Sequence, residues 1–128
     1  MGFILATVIA LEVGNVERFL GPGHLASYAG MVPRVQASGG KVRYSRTRQD
    51  VNRYLKWAYT EAANVVARFH RTHSERHVSQ LYARVMRRRG HQKAAGAVGR
   101  HLAEATYWIL RRKGPYRDPQ QKRRYSEA

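Results

Sequence analysis

Three consecutive segments between Asp50 and Lys113 carry apolar side chains at helical spacing, separated only by short junctions. In the first, Leu55, Ala58, Ala62, Val65, Val66 and Phe69 recur every three or four residues on one face. Arg53, Lys56, Thr60, Asn64 and Arg71 fall on another, and Asp50 stands where an N-cap belongs. The second segment runs from about Ser74 to Arg89, with Val78, Leu81, Tyr82, Val85 and Met86 inward. Its outer face carries Arg76, Gln80, Arg84, Arg87 and Arg88, and Gly90 ends it. The third, from about Gln92 to Lys113, buries Val98, Leu102, Ala105 and Ile109. Gly96 and Gly99 weaken it but permit close approach of a neighbouring helix. A chain so committed to this period folds as an all-α domain, a small bundle of three to four helices.

The first third of the chain is less regular. Phe3, Ile4, Leu5, Val8, Ile9, Leu11 and Val13 make a helix apolar on nearly every side, ended by Gly14. Such a helix is expected to be buried all round. At about a dozen residues it is too short to span a bilayer, and it lacks the basic n-region and cleavage site of a signal peptide. Asn15 to Phe19 reads as a polar turn, and Gly21-Pro22-Gly23 breaks the chain. His24 to Gly30 reads as a short helix closed by glycine, and Pro33 starts an extended loop that carries Ser38.

The charge balance narrows the function. With 24 Lys+Arg against 8 Asp+Glu, the formal charge is +16. This suits a polyanionic partner, nucleic acid first and an acidic membrane surface second. The absence of cysteine excludes disulfides and thiolate metal sites. Glu12, Glu17, Asp50, Glu61, Glu75, Glu104, Asp118 and Glu127 show no pair or triad at a metal-binding spacing, which a self-contained two-metal nuclease needs. His70, His73 and His77 have a spacing that invites a metal, but Arg71 and Arg76 stand among them. Their other reading is as surface histidines that hold phosphate when protonated.

One short stretch combines a nucleophile with phosphate-binding features. In Ala37-Ser38-Gly39-Gly40-Lys41 a hydroxyl sits beside two glycines and a lysine, with Arg43, Arg46 and Arg48 close behind. Glycines let backbone N–H groups approach a phosphate, and the adjacent cations would hold it. Ser-Gly-Gly is equally ordinary loop chemistry, and the spacing is not that of a Walker A motif. Beyond the loop, Arg53 and Lys56 on one helix and Arg84, Arg87 and Arg88 on the next complete the candidate phosphate contacts. Tyr28, Tyr44, Tyr54 and Tyr59 lie near the loop, as stacking platforms for unpaired bases or as half-buried core.

Four blocks of the sequence resemble a known family. Residues Gly2 to Gly14 resemble the second half of a helix-hairpin-helix. His24 to Pro33, Ser38-Gly39-Gly40-Lys41 and Asn52-Arg53-Tyr54-Leu55-Lys56 follow in order. Together they resemble the C-terminal Tnp domain of the IS-one-ten class of bacterial insertion-sequence transposases, over about Gly2 to Arg112. The resemblance implies a DNA recombinase in which a Tnp-domain serine is the covalent nucleophile on DNA. It also implies a bridge RNA that guides target choice, and an RNase-H-like domain whose DEDD site binds Mg2+. On that basis Ser38 is the nucleophile, and Lys41, Arg43 and Arg46 contact phosphate or RNA.

Residues 1–113 are then a Tnp-type domain, and 114–128, with Lys122, Arg123 and Arg124, a basic disordered tail. Met1 stands where the family's hairpin glycines belong, and the segment from Ser45 to Val51 lacks the glycine expected ahead of Asn52. The expectation is a truncated component that binds DNA but does not cut alone. Its implied partners are DNA, a guide RNA and the DEDD domain in trans, with no membrane. It would be a homo-oligomer when complete, working in the bacterial cytoplasm, with no cofactor held in this chain. The alternative is a non-catalytic basic nucleic-acid-binding module. A membrane-surface protein is a third class, resting on charge alone.

Overall fold

A long helix, His91–Arg112, lies against most of the other elements. The computed structural model describes residues 2–32, 34–38, 41–45 and 51–119, the segments 34–38 and 41–45 as backbone. The elements in order are α1 (Phe3–Val13), a 3-10 turn (Val16–Arg18), α2 (Pro22–Tyr28), β1 (Arg34–Ser38), β2 (Lys41–Ser45), α3 (Arg53–Phe69), α4 (His77–Arg89) and α5 (His91–Arg112). The core comes from the helices and the turns at their ends, so the fold is all-α. Helix α5 packs on α2, α3 and α4, and α1 packs on α3. Ile9, Val13, Leu25, Leu55, Tyr59 and Ala103 form one buried cluster. Ala63, Tyr82, Ala94 and Val98 form a second, and Leu102 touches both.

Helix boundaries follow from local chemistry. The N-cap of α3 is Asn52, whose Oδ1 accepts from the Leu55 N–H at 3.0 Å. Asp50, the expected cap, lies outside the described residues, and Asn52 takes the role two positions later. Gly90 ends α4 and starts α5 at φ 90° and ψ 175°. A single residue there reverses the chain and lets the two helices pack along each other, in a conformation reserved largely for glycine. Gly99 is a site of close approach, but to the segment after α2 and not chiefly to a helix: a Cβ there would come within 2.6 Å of Met31 Sδ and 3.8 Å from the Tyr59 carbonyl of α3. Gly96 is not such a site, since nothing lies within 4 Å of the same position on it.

Two expectations need correction. Helix α1 is not buried all round. Ile9 and Val13 are buried, but Phe3, Ile4 and Leu11 are 85%, 70% and 77% exposed. The described helices cover only the face bearing Leu5, Ile9 and Val13, so apolar character on the other faces goes uncovered. The extended loop carrying Ser38 is in fact an antiparallel ribbon, with Arg34 opposite Ser45 and Ser38 opposite Lys41.

Beyond α5 the chain turns at Lys113, φ 54°, and runs back along the body. The Tyr116 hydroxyl lies 3.1 Å from His101 Nε2, and the His77 N–H donates to Asp118 Oδ2 at 3.2 Å. Lys122, Arg123 and Arg124 lie outside the described residues.

Candidate nucleic-acid interface

The ends of α2 and α3 that bracket the ribbon in sequence meet each other. The Asn52 N–H donates to the Tyr28 carbonyl at 2.8 Å, closing the excursion between α2 and α3. The Asn52 side chain then donates from Nδ2 to Glu12 Oε2 at 2.9 Å and to the Tyr28 hydroxyl at 3.2 Å. Arg18 completes this foot. Its Nε donates to the Val13 carbonyl at 3.0 Å and its Nη2 to that of Glu12 at 3.2 Å. Its guanidinium lies 4.5 Å from the Phe19 ring centroid and 4.9 Å from that of Tyr28. Hydrogen bonds from Asn52 and from Arg18 hold the Tyr28 hydroxyl below the ordinary tyrosine pKa. Tyr28 is therefore a member of the foot, tied to α1 and α3.

In the ribbon, directly opposed residues share a face and successive residues alternate. The register pairs Arg34 with Ser45, Gln36 with Arg43 and Ser38 with Lys41. One face therefore bears Arg34, Gln36, Ser38, Lys41, Arg43 and Ser45, while Val35, Ala37, Val42 and Tyr44 share the other. Three of the expected residues, Ser38, Lys41 and Arg43, are brought together this way. Arg34 and Gln36 join them and were missed. Their signal was present in the sequence: polar and apolar residues alternate on both sides of Gly39-Gly40, a pattern that favours a two-residue hairpin. Arg46 and Arg48 lie outside the described residues.

Just past the foot, Arg53 and Lys56 are exposed on the first turn of α3. Tyr54 is 67% exposed beside them, and Trp57, one turn after Arg53 on the same face, is 47% exposed. Trp57 is a further contact candidate that the periodicity did not single out. Tyr59, by contrast, is fully buried and stacks on nothing outside the core. Burial raises its hydroxyl to about 12.

The remaining cations sit on α4. Arg84, Arg87 and Arg88 are exposed, and Arg87, Arg88 and Arg89 occupy its last turn, where the helix dipole favours positive charge. The ion pairs among the described residues lie elsewhere: Glu17 with Arg111 and Glu104 with Arg100, each at 3.0 Å. Among the described residues no carboxylate pairs with Arg84, Arg87 or Arg88. A groove of about 420 Å³ beside them is lined in part by His70, Arg71, Gln80 and Arg87.

The three histidines of the junction diverge. His70 Nδ1 lies 2.7 Å from the Ala67 carbonyl and its ring packs on Tyr82, while His77 packs on His101. Among the described residues no three His, Asp or Glu side chains are grouped to hold a metal ion. No helix among them is long and apolar enough to cross a membrane. The cations thus occupy three stations: the ribbon, the start of α3 and the C-terminal half of α4.

A family model described as Transposase IS116/IS110/IS902 family matches residues 1–78. That span holds the ribbon, its foot and all of α3, and stops at the start of α4. Comparison with curated proteins and with solved structures returns no match.

Proposed function

The chain belongs to the IS116/IS110/IS902 family of transposases, and on that premise we propose that it binds DNA and presents Ser38 as a nucleophile toward a phosphodiester. One observation carries this reading. The antiparallel register sets Ser38 opposite Lys41, on the ribbon face that also bears Arg34 and Arg43, and the ribbon lies inside the family match. The Ser38 hydroxyl gives up its proton as its oxygen bonds to phosphorus. The bond from phosphorus to one sugar oxygen breaks, and that oxygen takes a proton. The cations of the same face offset the negative charge that develops on the phosphate oxygens.

In this reading residues 1–113 are the Tnp-type unit, with α1 as the second helix of a helix-hairpin-helix, and the basic segment 114–128 follows. Arg46 and Arg48 extend the ribbon's contacts, and Arg53, Lys56, Arg84, Arg87 and Arg88 hold backbone phosphates. A guide RNA and a DEDD domain acting in trans are the proposed partners, within a homo-oligomer in the bacterial cytoplasm. The described residues of this chain do not fit a Mg2+ site. That ion is assigned to the DEDD domain, and no step of Ser38 is routed through it.

A second reading, a non-catalytic basic nucleic-acid-binding module, is favoured by the position of Arg84, Arg87 and Arg88. They lie beyond the family match and need no serine to grip a backbone. Covalent trapping separates the two. Labelled DNA is incubated with the chain and the DEDD domain, then resolved under denaturing conditions. A protein–DNA adduct lost in Ser38→Ala supports the recombinase. Nucleic-acid binding without any adduct supports the module.

A further inference from the structure

A cleft of about 240 Å³ opens between the C-terminal half of α5 and residues 114–117. It lies past the residues that the family model matches. Trp108 lines it at 42% exposure, with the Arg112 guanidinium 4.5 Å from its ring centroid. Tyr116 forms the facing wall at 40% exposure, its hydroxyl anchored to His101. Glu104 also lines the cleft, its carboxylate steadied by Arg100 Nε at 3.0 Å, and Arg117 adds a second guanidinium. The turn through Lys113 and Gly114 brings this wall back over the helix.

These groups recognise a particular shape of ligand. A guanidinium on an indole offers a flat cationic surface for stacking. A carboxylate beside it accepts from a ring amino group, as carboxylates do from the amino group of cytosine. The two guanidinium groups suit a phosphate attached to the same unit. The volume falls below the ~300–1,000 Å³ of pockets that enclose drug-sized ligands, which leaves room for one heterocycle. A paired base cannot reach such a cleft without leaving its stack.

We propose that this cleft takes one unpaired nucleobase of a bound nucleic acid, stacked on the Arg112–Trp108 pair with its amino group directed to Glu104. This rests on reading the chain as a nucleic-acid-binding transposase domain. It assigns that domain a site for an extruded or bulged nucleotide, distinct from the ribbon.

The test uses the full chain and three labelled duplexes of one sequence: fully paired, with a one-nucleotide cytosine or adenine bulge, and with an abasic bulge. The abasic bulge keeps the backbone and removes only the ring. The base-bearing bulge should bind about tenfold tighter than the abasic one, as base stacking on an aromatic contributes. In a Trp57→Phe protein, whose own affinity for the paired duplex is measured first because Trp57 is itself a contact candidate, the emission of Trp108 should fall on binding the base-bearing bulge. The base-to-abasic ratio should drop to about one in Trp108→Leu and, separately, in Arg112→Gln, with thermal unfolding checked for each. Equal affinity for the two bulges, or a ratio that survives both substitutions, overturns the site while duplex binding leaves the broader reading standing. No binding to any of the duplexes overturns both. Quenching by free adenosine monophosphate without any bulge preference assigns the cleft to a free nucleotide and overturns the polymer.

Discussion

Asn52 donates to the carboxylate of Glu12 across 2.9 Å, joining the start of α3 to the end of α1 at the foot of the ribbon. The same side chain caps α3 and reaches the Tyr28 hydroxyl, so one residue ties together the ends of three helices, two of which bracket the ribbon in sequence.

Replacing Asn52 tests that junction. Asn52→Ala removes the cap and leaves Glu12 without its amide donor, so unfolding stability should drop by about 1–3 kcal/mol. Asn52→Asp keeps the cap but sets two carboxylates face to face, and should fall between alanine and the natural residue. Urea unfolding followed by circular dichroism reads the order. Equal stability of all three proteins would show that the foot is not under load.

Gly90 tests the reversal between α4 and α5. Space around it is open, so any cost of Gly90→Ala comes from the backbone at φ 90°, about 1–3 kcal/mol. Gly99→Ala meets a different obstacle, the Met31 thioether, which can swing aside. Thermal unfolding should show the larger loss at Gly90, and Met31→Ala should offset part of the loss at Gly99 only.

The arginines of α4 make a quantitative prediction about salt. If Arg84, Arg87 and Arg88 each neutralise one phosphate, converting all three to Gln should flatten the slope of log affinity against log salt by about 2–3. Fluorescence anisotropy on a duplex at several salt concentrations measures it. An unchanged slope would place the DNA elsewhere.

His101 predicts a dependence on pH. Burial first, and then the neighbouring His77, hold its pKa below the usual histidine value, against smaller opposing effects of Glu104 and Asp118. A depressed folded pKa means that the unfolded chain takes up a proton first as pH falls below about 6.5. Stability therefore holds above that pH and declines as pH falls through the unfolded and then the folded pKa. His101→Gln should remove that part of the decline in urea titrations between neutral and mildly acidic pH. Tyr116, raised to about 12, plays no part in that window.

Much of the bundle was readable in advance. Helices α3 to α5 announce themselves because each has one apolar stripe, and Gly90 marks the break between two of them. The cap of α3 fell two residues late because Asp50 and Asn52 are both good capping types, and periodicity cannot choose between them. Helix α1 was misjudged for a tertiary reason: an apolar surface shows what a helix prefers, not whether neighbours exist to cover it. The ribbon was missed although Arg34-Val35-Gln36-Ala37-Ser38 and Lys41-Val42-Arg43-Tyr44-Ser45 alternate around two glycines. The pairing partners of Asn52 were not readable at all, since Glu12 stands forty positions away and polar contacts leave no period.

Peptide mapping of the trapped complex tests the role of Ser38 most directly. After nuclease and protease digestion, mass spectrometry should find a residual nucleotide esterified to the Ser38 oxygen, on a peptide absent from Ser38→Ala digests. A nucleotide carried instead by a tyrosine such as Tyr44 or Tyr54, or by no peptide of this chain, would contradict the account.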